Sequence, residues 1–562
     1  MRRYAERTVQ ADVCHKAKLI GCSICHFRLL SSLLHVQILQ RNMLKSISST
    51  YLKRCLNKPV TQRPSFSQYY RMITTATVPK LKDPSLLRNA AFINNKWVQA
   101  KNAETFAVTD PATGEEIGKV PDMGVEDAKE AIDIASASFK TWSRTSAKER
   151  HDLMKKWYDA MMANQEDLAT ILTWENGKSL AEARGEIVYG SSFIEWFAEE
   201  AVRSYGAVIP NNIASQRYIT IKQPVGVVGI ITPWNFPNAM ITRKVGAALA
   251  AGCTVVIKPG AETPFSALAL CELAERVGIP AGVINIVTTE AHVKDIGTEL
   301  TTNPIIKKIS FTGSTAVGKL LMKQSSDTMK KISMELGGNA PFIVFDDADV
   351  DAAVEGAIAS KFRGTGQTCV CANRMYVQKG IYPEFASRLA EKVAKFRIGH
   401  GFDKETNFGP LINHAAVKKV TTLVEDAVSK GGELLVGGKH AGGNFYEPTV
   451  ISGMTKEMRI ASEEIFGPVA GLFEFETEDE VIELANNTQF GLAGYFFSRD
   501  IGRVWRVAEK LEVGIVGANS GIVSNCYTPF GGVKESGMGR EGSLYGISDY
   551  QNIKYINMGG IQ

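Results

Sequence analysis

Cys369 and Glu335 stand 34 positions apart in two short segments, Gly366-Gln367-Thr368-Cys369-Val370-Cys371 and Met334-Glu335-Leu336-Gly337-Gly338-Asn339-Ala340-Pro341. A thiol can capture a carbonyl carbon, and a carboxylate can direct water at the thioester left once hydride has gone, so the two segments offer both halves of a covalent aldehyde oxidation. Asn235, set between Trp234 and Phe236, has an amide suited to an oxyanion, with the backbone N–H of Cys369 as second donor. Each residue also has a plainer reading. A lone cysteine is usually packed in a core, and an asparagine among aromatics and prolines usually makes a turn. Glu335 fits a solvated acid poorly, because Ile332, Met334 and Leu336 surround it; burial there would raise its pKa, which suits a base.

These groups need elements to carry them. Between Val225 and Ser310 short apolar runs (Val225–Ile231, Thr254–Ile257, Ile284–Val287, Lys308–Phe311) alternate with helix-length stretches, the pattern of a parallel sheet with crossover helices. The helix 264–277 is punctuated by Thr263 as N-cap, Pro264 at its first position and Gly278 past its end; another helix follows Pro237 through Leu249. After Glu335 a second series begins, with strands at 341–345, 374–377 and 434–436 and helices at 350–362 and near 383–396. Glu335 and Cys369 should therefore meet across a cleft between two α/β units. Gly313-Ser314-Thr315-Ala316-Val317-Gly318-Lys319 opens a helix after a strand, where free N–H groups can receive a pyrophosphate. It imitates a nucleoside-triphosphate loop, but Leu320 occupies the place of the magnesium-binding hydroxyl, which excludes that reading.

Charge separates the chain into two parts. Residues 1–82 hold 15 Lys and Arg against Glu6 and Asp12, a net +13, and the remainder holds 49 basic against 57 acidic residues, a net −8. An acidic body repels a phosphate backbone, so nucleic acid is not an expected partner. Val13–Lys82 lacks Asp and Glu and is Ser/Thr-rich from Met43, like a mitochondrial presequence; a start near Met72 would remove most of it and leave a cytoplasmic protein. The run Leu29–Leu39 is too short and too interrupted to span a bilayer. Nine scattered cysteines do not form a secreted disulfide framework, and Cys22-Ser23-Ile24-Cys25-His26 in the leader is too short a pattern to carry a haem or zinc site.

With Pro233-Trp234-Asn235-Phe236-Pro237, Lys258-Pro259, Phe311-Thr312-Gly313-Ser314-Thr315, Glu463-Glu464-Ile465-Phe466-Gly467-Pro468 and Pro529-Phe530-Gly531-Gly532 in order along the chain, the sequence resembles the NAD(P)-dependent aldehyde dehydrogenase superfamily. The segments around Asn235, Met240–Gly246 and Gly366–Arg374 resemble its succinate-semialdehyde branch. The resemblance implies an α/β fold with a Rossmann-type dinucleotide domain (83–204 and 224–335), an α/β catalytic domain (336–540), a small β bridging or oligomerisation element (205–223 and 541–562) and a basic leader (1–82). It also implies a homotetramer, NADP or NAD as cofactor and no metal. It makes Cys369 the nucleophile, Glu335 the base and Asn235 the oxyanion donor. Thr232, Trp234, Gly313 and Ser314 would lie along the dinucleotide, Lys258 at the adenosine ribose, and Glu464 and Phe466 at the nicotinamide end. Where many NAD-preferring relatives carry Glu, this chain has Ala261, with the acid displaced to Glu262, so NADP should be tolerated. Arg243, Arg363 and Ser524 would hold a distal carboxylate, and Cys371 could close a redox-sensitive disulfide with Cys369. Glutarate semialdehyde or a broader aldehyde range is the nearest alternative substrate.

Overall fold

The computed structural model describes residues 77–561. The leader expected over residues 1–82, with its four cysteines, the run Leu29–Leu39, Met43 and Met72, falls almost wholly outside them. Among the described residues no helix is long and apolar enough to cross a membrane.

The apolar runs assemble into two sheets. The first has the spatial order Lys96–Val98, Ala91–Ile93, Ile284–Ile286, Thr254–Lys258, Val227–Ile231, Ile306–Thr312, Lys331–Glu335, Gly537–Met538. Its five middle strands pair in parallel, and Val227–Ile231, Thr254–Lys258 and Ile284–Ile286 are buried at every residue, as a sheet covered by helices on both faces requires. From Val227–Ile231 the chain steps first toward Ile284–Ile286 and then returns to continue on the other side with Ile306–Thr312. That reversal opens a crevice at the carboxyl ends of the strands, where Thr232, Pro259 and Gly313 follow. The helix Ala239–Ala251 is buried along its whole length, which explains a composition of Ala, Val, Ile and Gly with few polar positions.

The helix after Thr263 begins as expected but is capped differently. Pro264 takes the first position, and Gly278 has φ +88° just beyond the end. The Thr263 hydroxyl, however, makes no cap bond; the buried carboxylate of Glu175 accepts from Phe265 N and Ser266 N at 2.8 Å each. Burial pushes the Glu175 pKa up to about 8, but its two oxygens still satisfy two orphan donors of the helix N-terminus.

The second sheet has the order Glu433–Val436, Thr449–Ser452, Val469–Phe475, Ala372–Gln378, Ala340–Val344, Ala493–Phe497, Ile515–Ala518. It is parallel except at the Glu433–Val436 edge. The strands expected to belong to neither sheet form a third: Gln551–Met558 pairs antiparallel with Arg217–Pro224, which pairs with Ala207–Ile209. This sheet leaves Val208 and Ile553 each 74% exposed.

Between the helix Val350–Lys361 and the strand Ala372–Gln378 the cysteine loop turns through Gly364, Thr365 and Gly366, with φ of +57°, +58° and +73°. Left-handed backbone is unexceptional for glycine but strained for a β-branched residue, and a buried Thr365 held there costs about 1–3 kcal/mol. At Gly366 a Cβ would also collide with the Gly467 carbonyl. Gly366→Ala should therefore lower stability by about 1–3 kcal/mol, read as a fall in melting temperature; an unchanged transition would show that the loop does not need this conformation.

Candidate functional site

A cavity of about 280 Å³ opens where the crevice of the first sheet faces the second. Trp234, Asn235, Gly313, Ser314, Cys369, Glu464 and Phe466 all line it, so seven of the residues picked out by motif converge from loops up to 232 positions apart. Other parts of the wall come from Met240, Leu336, Gly337, Ala416 and Lys419, of which Ala416 and Lys419 lie apart from every motif segment. The last two stand on the helix His414–Ser429, where the sequence shows only an ordinary amphipathic pattern; nothing local reveals that its Lys419 faces the cavity. Trp234 and Phe466 meet edge to face, 5.6 Å between centroids, and Phe466 sits at φ +52°, a strained position for an aromatic residue.

Asn235 is oriented by three bonds. Its Nδ2 donates to the Gln367 carbonyl at 2.9 Å, its Oδ1 accepts from Phe236 N at 3.1 Å, and its own carbonyl accepts from Lys178 Nζ at 2.8 Å. The amide nitrogen therefore lies on the side of the cysteine loop and keeps a second N–H to donate. The Cys369 thiol itself differs from expectation. Burial pushes its pKa up to about 12, with only Arg243 opposing, while Glu464 and Glu335 add to the rise. The loop before Cys369 is a tight left-handed turn and offers the thiol no helix N-terminus.

Glu335 ends the strand Lys331–Glu335 with 3% exposure. Neither carboxylate oxygen has a hydrogen-bond partner among the described residues. Burial, reinforced by the neighbouring Glu541 carboxylate, raises its pKa well above the usual range, against the pull of Arg243 and Lys244. Glu541 behaves in the opposite way. Burial disfavours its charge, but Arg243 and Lys244, both ion-paired to it, outweigh burial and hold its pKa down. Two carboxyl groups in one buried cluster are thus pushed in opposite directions because the two cations pair with only one of them.

Arg243, expected in the carboxylate clamp, is ion-paired to Glu541 in this structure, with its Nη2 buried without a partner among the described residues and its charge acting on the Cys369 thiol. Its guanidinium is 1% exposed, lies 4.1 Å from the centroid of the Phe530 ring and lines neither substrate-sized cavity. Arg363 is placed otherwise. It lines a second cavity of about 220 Å³ together with Lys178, Glu182, Glu186, Tyr189 and Phe236, and makes no ion pair among the described residues. Ser524 is partly buried and lines neither cavity, although Gly521, Ile522 and Val523 of its loop border a narrow cleft with Arg363 and Cys371. Cys371 is buried, and its Sγ lies 3.5 Å from the Lys361 carbonyl. Both Cys369 and Cys371 are free thiols here.

The crevice fits a dinucleotide by its unused polar groups. Ser314 caps the helix Thr315–Ser325, whose start borders the cavity, and Thr232 Oγ1 is buried without a partner. Lys258 closes its strand, its pKa pushed down to about 8 by burial against the pull of Glu262. Ala261 lies partly buried against the first core. Glu464, its pKa raised by burial, accepts from Gly338 N at 3.0 Å.

The pattern of the aldehyde dehydrogenase family matches residues 97–556. The chain is 57% identical to the glutarate-semialdehyde dehydrogenase of Pseudomonas putida, over 85% of this chain and 99% of that protein. To the mitochondrial succinate-semialdehyde dehydrogenase of Mus musculus it is 54% identical, over 85% and 91%. A crystal structure described as an E. coli NADP-dependent enzyme superposes with TM-score 0.84 at 55% identity, covering 85% of this chain and all of that one.

The raised pKa of Glu335 has a consequence for stability. Its folded pKa lies above the ordinary carboxyl value of 4.5, so above that pH the unfolded chain ionises more readily, and wild-type stability falls as pH rises toward the folded pKa. Glu335→Gln lacks this loss. The stability advantage of the variant should grow by about 1.4 kcal/mol per pH unit over that window, measured by denaturant unfolding from about pH 5 to pH 8; a constant difference would place Glu335 at an ordinary pKa.

Proposed function

The chain belongs to the aldehyde dehydrogenase family, and on that premise we propose that it oxidises succinate semialdehyde to succinate with NADP⁺ or NAD⁺, as in degradation of 4-aminobutyrate. The observation that carries the substrate is Arg363, a guanidinium that makes no ion pair among the described residues and borders a cavity whose two carboxylates, Glu182 and Glu186, are already engaged by Lys178 and backbone N–H groups. Asn235 lines one cavity and Phe236 the other, so an aldehyde at Cys369 can extend a short acidic chain toward Arg363, which binds carboxylates bidentately. The relative acting on glutarate semialdehyde favours a second reading in which that substrate is also accepted, since one methylene is worth only about 1–3 kcal/mol.

Cys369 adds to the aldehyde carbon, and the proposed Asn235 amide and Cys369 N–H receive the oxyanion. When bound, the oxidised nicotinamide supplies the hydride acceptor and a positive charge near the thiol. Trp234, Glu464 and Phe466 hold that end, Gly313 and Ser314 the pyrophosphate, and Thr232 and Lys258 the adenosine side. Ala261 removes an acid from that side, and Lys258, without an ion pair among the described residues, is left to meet a 2′-phosphate. After hydride transfer the thioester remains. Glu335, adjoining the cavity through Leu336 and Gly337, takes a proton from water as that water attacks, and the acid leaves. Arg243 serves this scheme as a partner of Glu541 rather than as a carboxylate contact.

Three further readings go with this one. The exposed apolar side chains of the three-stranded sheet support assembly of copies into a tetramer. The basic leader and the mitochondrial relative support a mitochondrial location. Cys371 could join Cys369 under oxidation, but its thiol would first have to leave the Lys361 carbonyl.

Glu335→Gln should release a single burst of reduced cofactor and then stall with the thioester accumulated, followed at 340 nm by rapid mixing; loss of the burst would move Glu335 into acylation. Arg363→Ala should forfeit charge-assisted bonds worth about 1.5–3 kcal/mol and raise the Michaelis constant for succinate semialdehyde roughly ten- to a hundredfold. Butanal has the same chain length without the carboxylate and should be unaffected. Equal losses on both would reject the carboxylate contact.

A further inference from the structure

The corner joining the helices Gln165–Asn176 and Leu180–Ala201 takes no part in the chemistry above, yet its polar side chains reach the backbone of both catalytic loops. Asn176 Nδ2 donates to the Trp234 carbonyl at 2.9 Å, and Lys178 Nζ to the Asn235 carbonyl at 2.8 Å. Glu182 accepts from Gly364 N at 2.8 Å, and Glu186 from Asn238 N at 3.0 Å and Ala239 N at 3.3 Å. Lys178 and Glu186 are joined at 2.6 Å, with side chains 4% and 1% exposed.

We propose that Lys178, locked by Glu186, is a positioning residue that fixes the Asn235 amide where the oxyanion forms. The inference rests on Asn235 as the oxyanion donor. Residue 235 is gripped at its carbonyl by Lys178 and through its side chain by Gln367 and Phe236. Releasing the carbonyl frees the 235–236 peptide to rotate, and the side-chain amide, whose oxygen is tied to that same peptide nitrogen, turns with it. Electrostatic stabilisation of this kind depends on donors being aimed before the charge develops. Glu186 is suited to hold the lysine because it is fixed by the first backbone N–H groups around the start of the helix Ala239–Ala251, so the pair ties the loop to the helix that follows it. Lys178 also borders the cavity of Arg363, but it is a poor second carboxylate site. Two of its three donors are engaged, and its ammonium lies 4.0 Å from the centroid of the Phe236 ring.

The test is the double variant Lys178→Met with Glu186→Gln in the full-length enzyme. It leaves no unpaired buried charge, and the glutamine oxygen can still accept from Asn238 N. With succinate semialdehyde and NADP⁺, kcat should fall about tenfold or more, while both Michaelis constants stay within about twofold. In an Asn235→Ala background the same pair should cost less than about threefold, because nothing remains to be aimed. Equal losses in the two backgrounds would assign the pair a general structural role, and a raised aldehyde KM with kcat retained would assign it to binding; either overturns the proposal. Asn235→Ala with near wild-type activity would instead reject the oxyanion reading beneath it. Should the double variant fail to fold by circular dichroism, Lys178→Arg, which keeps the charge but moves the donors, is judged by the same cycle.

Discussion

Four residues, Leu336 to Asn339, carry the chain from the last parallel strand of the first sheet into a central strand of the second. So short a bridge fixes the distance and angle between the sheets, and its own backbone groups must be satisfied at the place where the two units meet. Leu336 N donates to the Ser536 carbonyl at 2.9 Å, Gly337 N to Thr315 Oγ1 at 3.3 Å and Gly338 N to Glu464 at 3.0 Å. Ser536 Oγ donates back to the Gly337 carbonyl, and Arg374 holds the Asn339 carbonyl through Nε and Nη2. Glu335 immediately precedes the bridge, and a Cβ on Gly338 would strike the Cys369 carbonyl. Glu335 and Cys369 are thus brought together by the covalent chain itself, and the residues tying down the bridge come from both units.

The charges buried beside the bridge follow a different logic. Arg243 and Lys244, adjacent on one helix, converge on Glu541 from near the C-terminus. Burying such groups is costly unless they are paired, and two cations against one carboxylate leave an excess of positive charge that Glu335 can complete when it ionises. The cluster therefore tolerates a protonated Glu335 and also receives an ionised one. A carboxyl that must take a proton and return it within each cycle needs surroundings of that kind.

The strands and their order of use were legible because buried parallel strands are written as uninterrupted apolar runs, and Val227–Ile231 or Thr254–Lys258 differ from the expected bounds by at most two residues. The residues lining the first cavity were legible for a related reason: Asn235, Cys369, Glu464 and Phe466 each sit in a short distinctive segment. What stayed hidden depends on partners far along the chain. Nothing near Arg243 announces Glu541, and without that ion pair the arginine reads as free to hold a substrate. Thr263 looks like a cap, but Glu175, 90 positions from Phe265, performs the task. The Cys369 segment shows glycines and small residues but not the conformation they take. The backbone makes a left-handed turn there, set by contacts far along the chain.

That turn bears on the order in which the molecule becomes competent. Thr365 is held left-handed by contacts with parts of the chain that lie beyond it, its hydroxyl directed at Gly409 O at 3.4 Å and its neighbour Gly366 packed against Gly467. Gln367 N closes the turn locally on the Gly364 carbonyl at 3.0 Å, but the contacts that hold the strained Thr365 and seat Gly366 come from later segments, so the turn is complete only once these have docked. A chain emerging from synthesis would have the five parallel strands of its first sheet in hand while the Cys369 loop was still unshaped. The reactive sulfur would be set in place among the last events of folding, after the walls that shield it from unrelated electrophiles had been built.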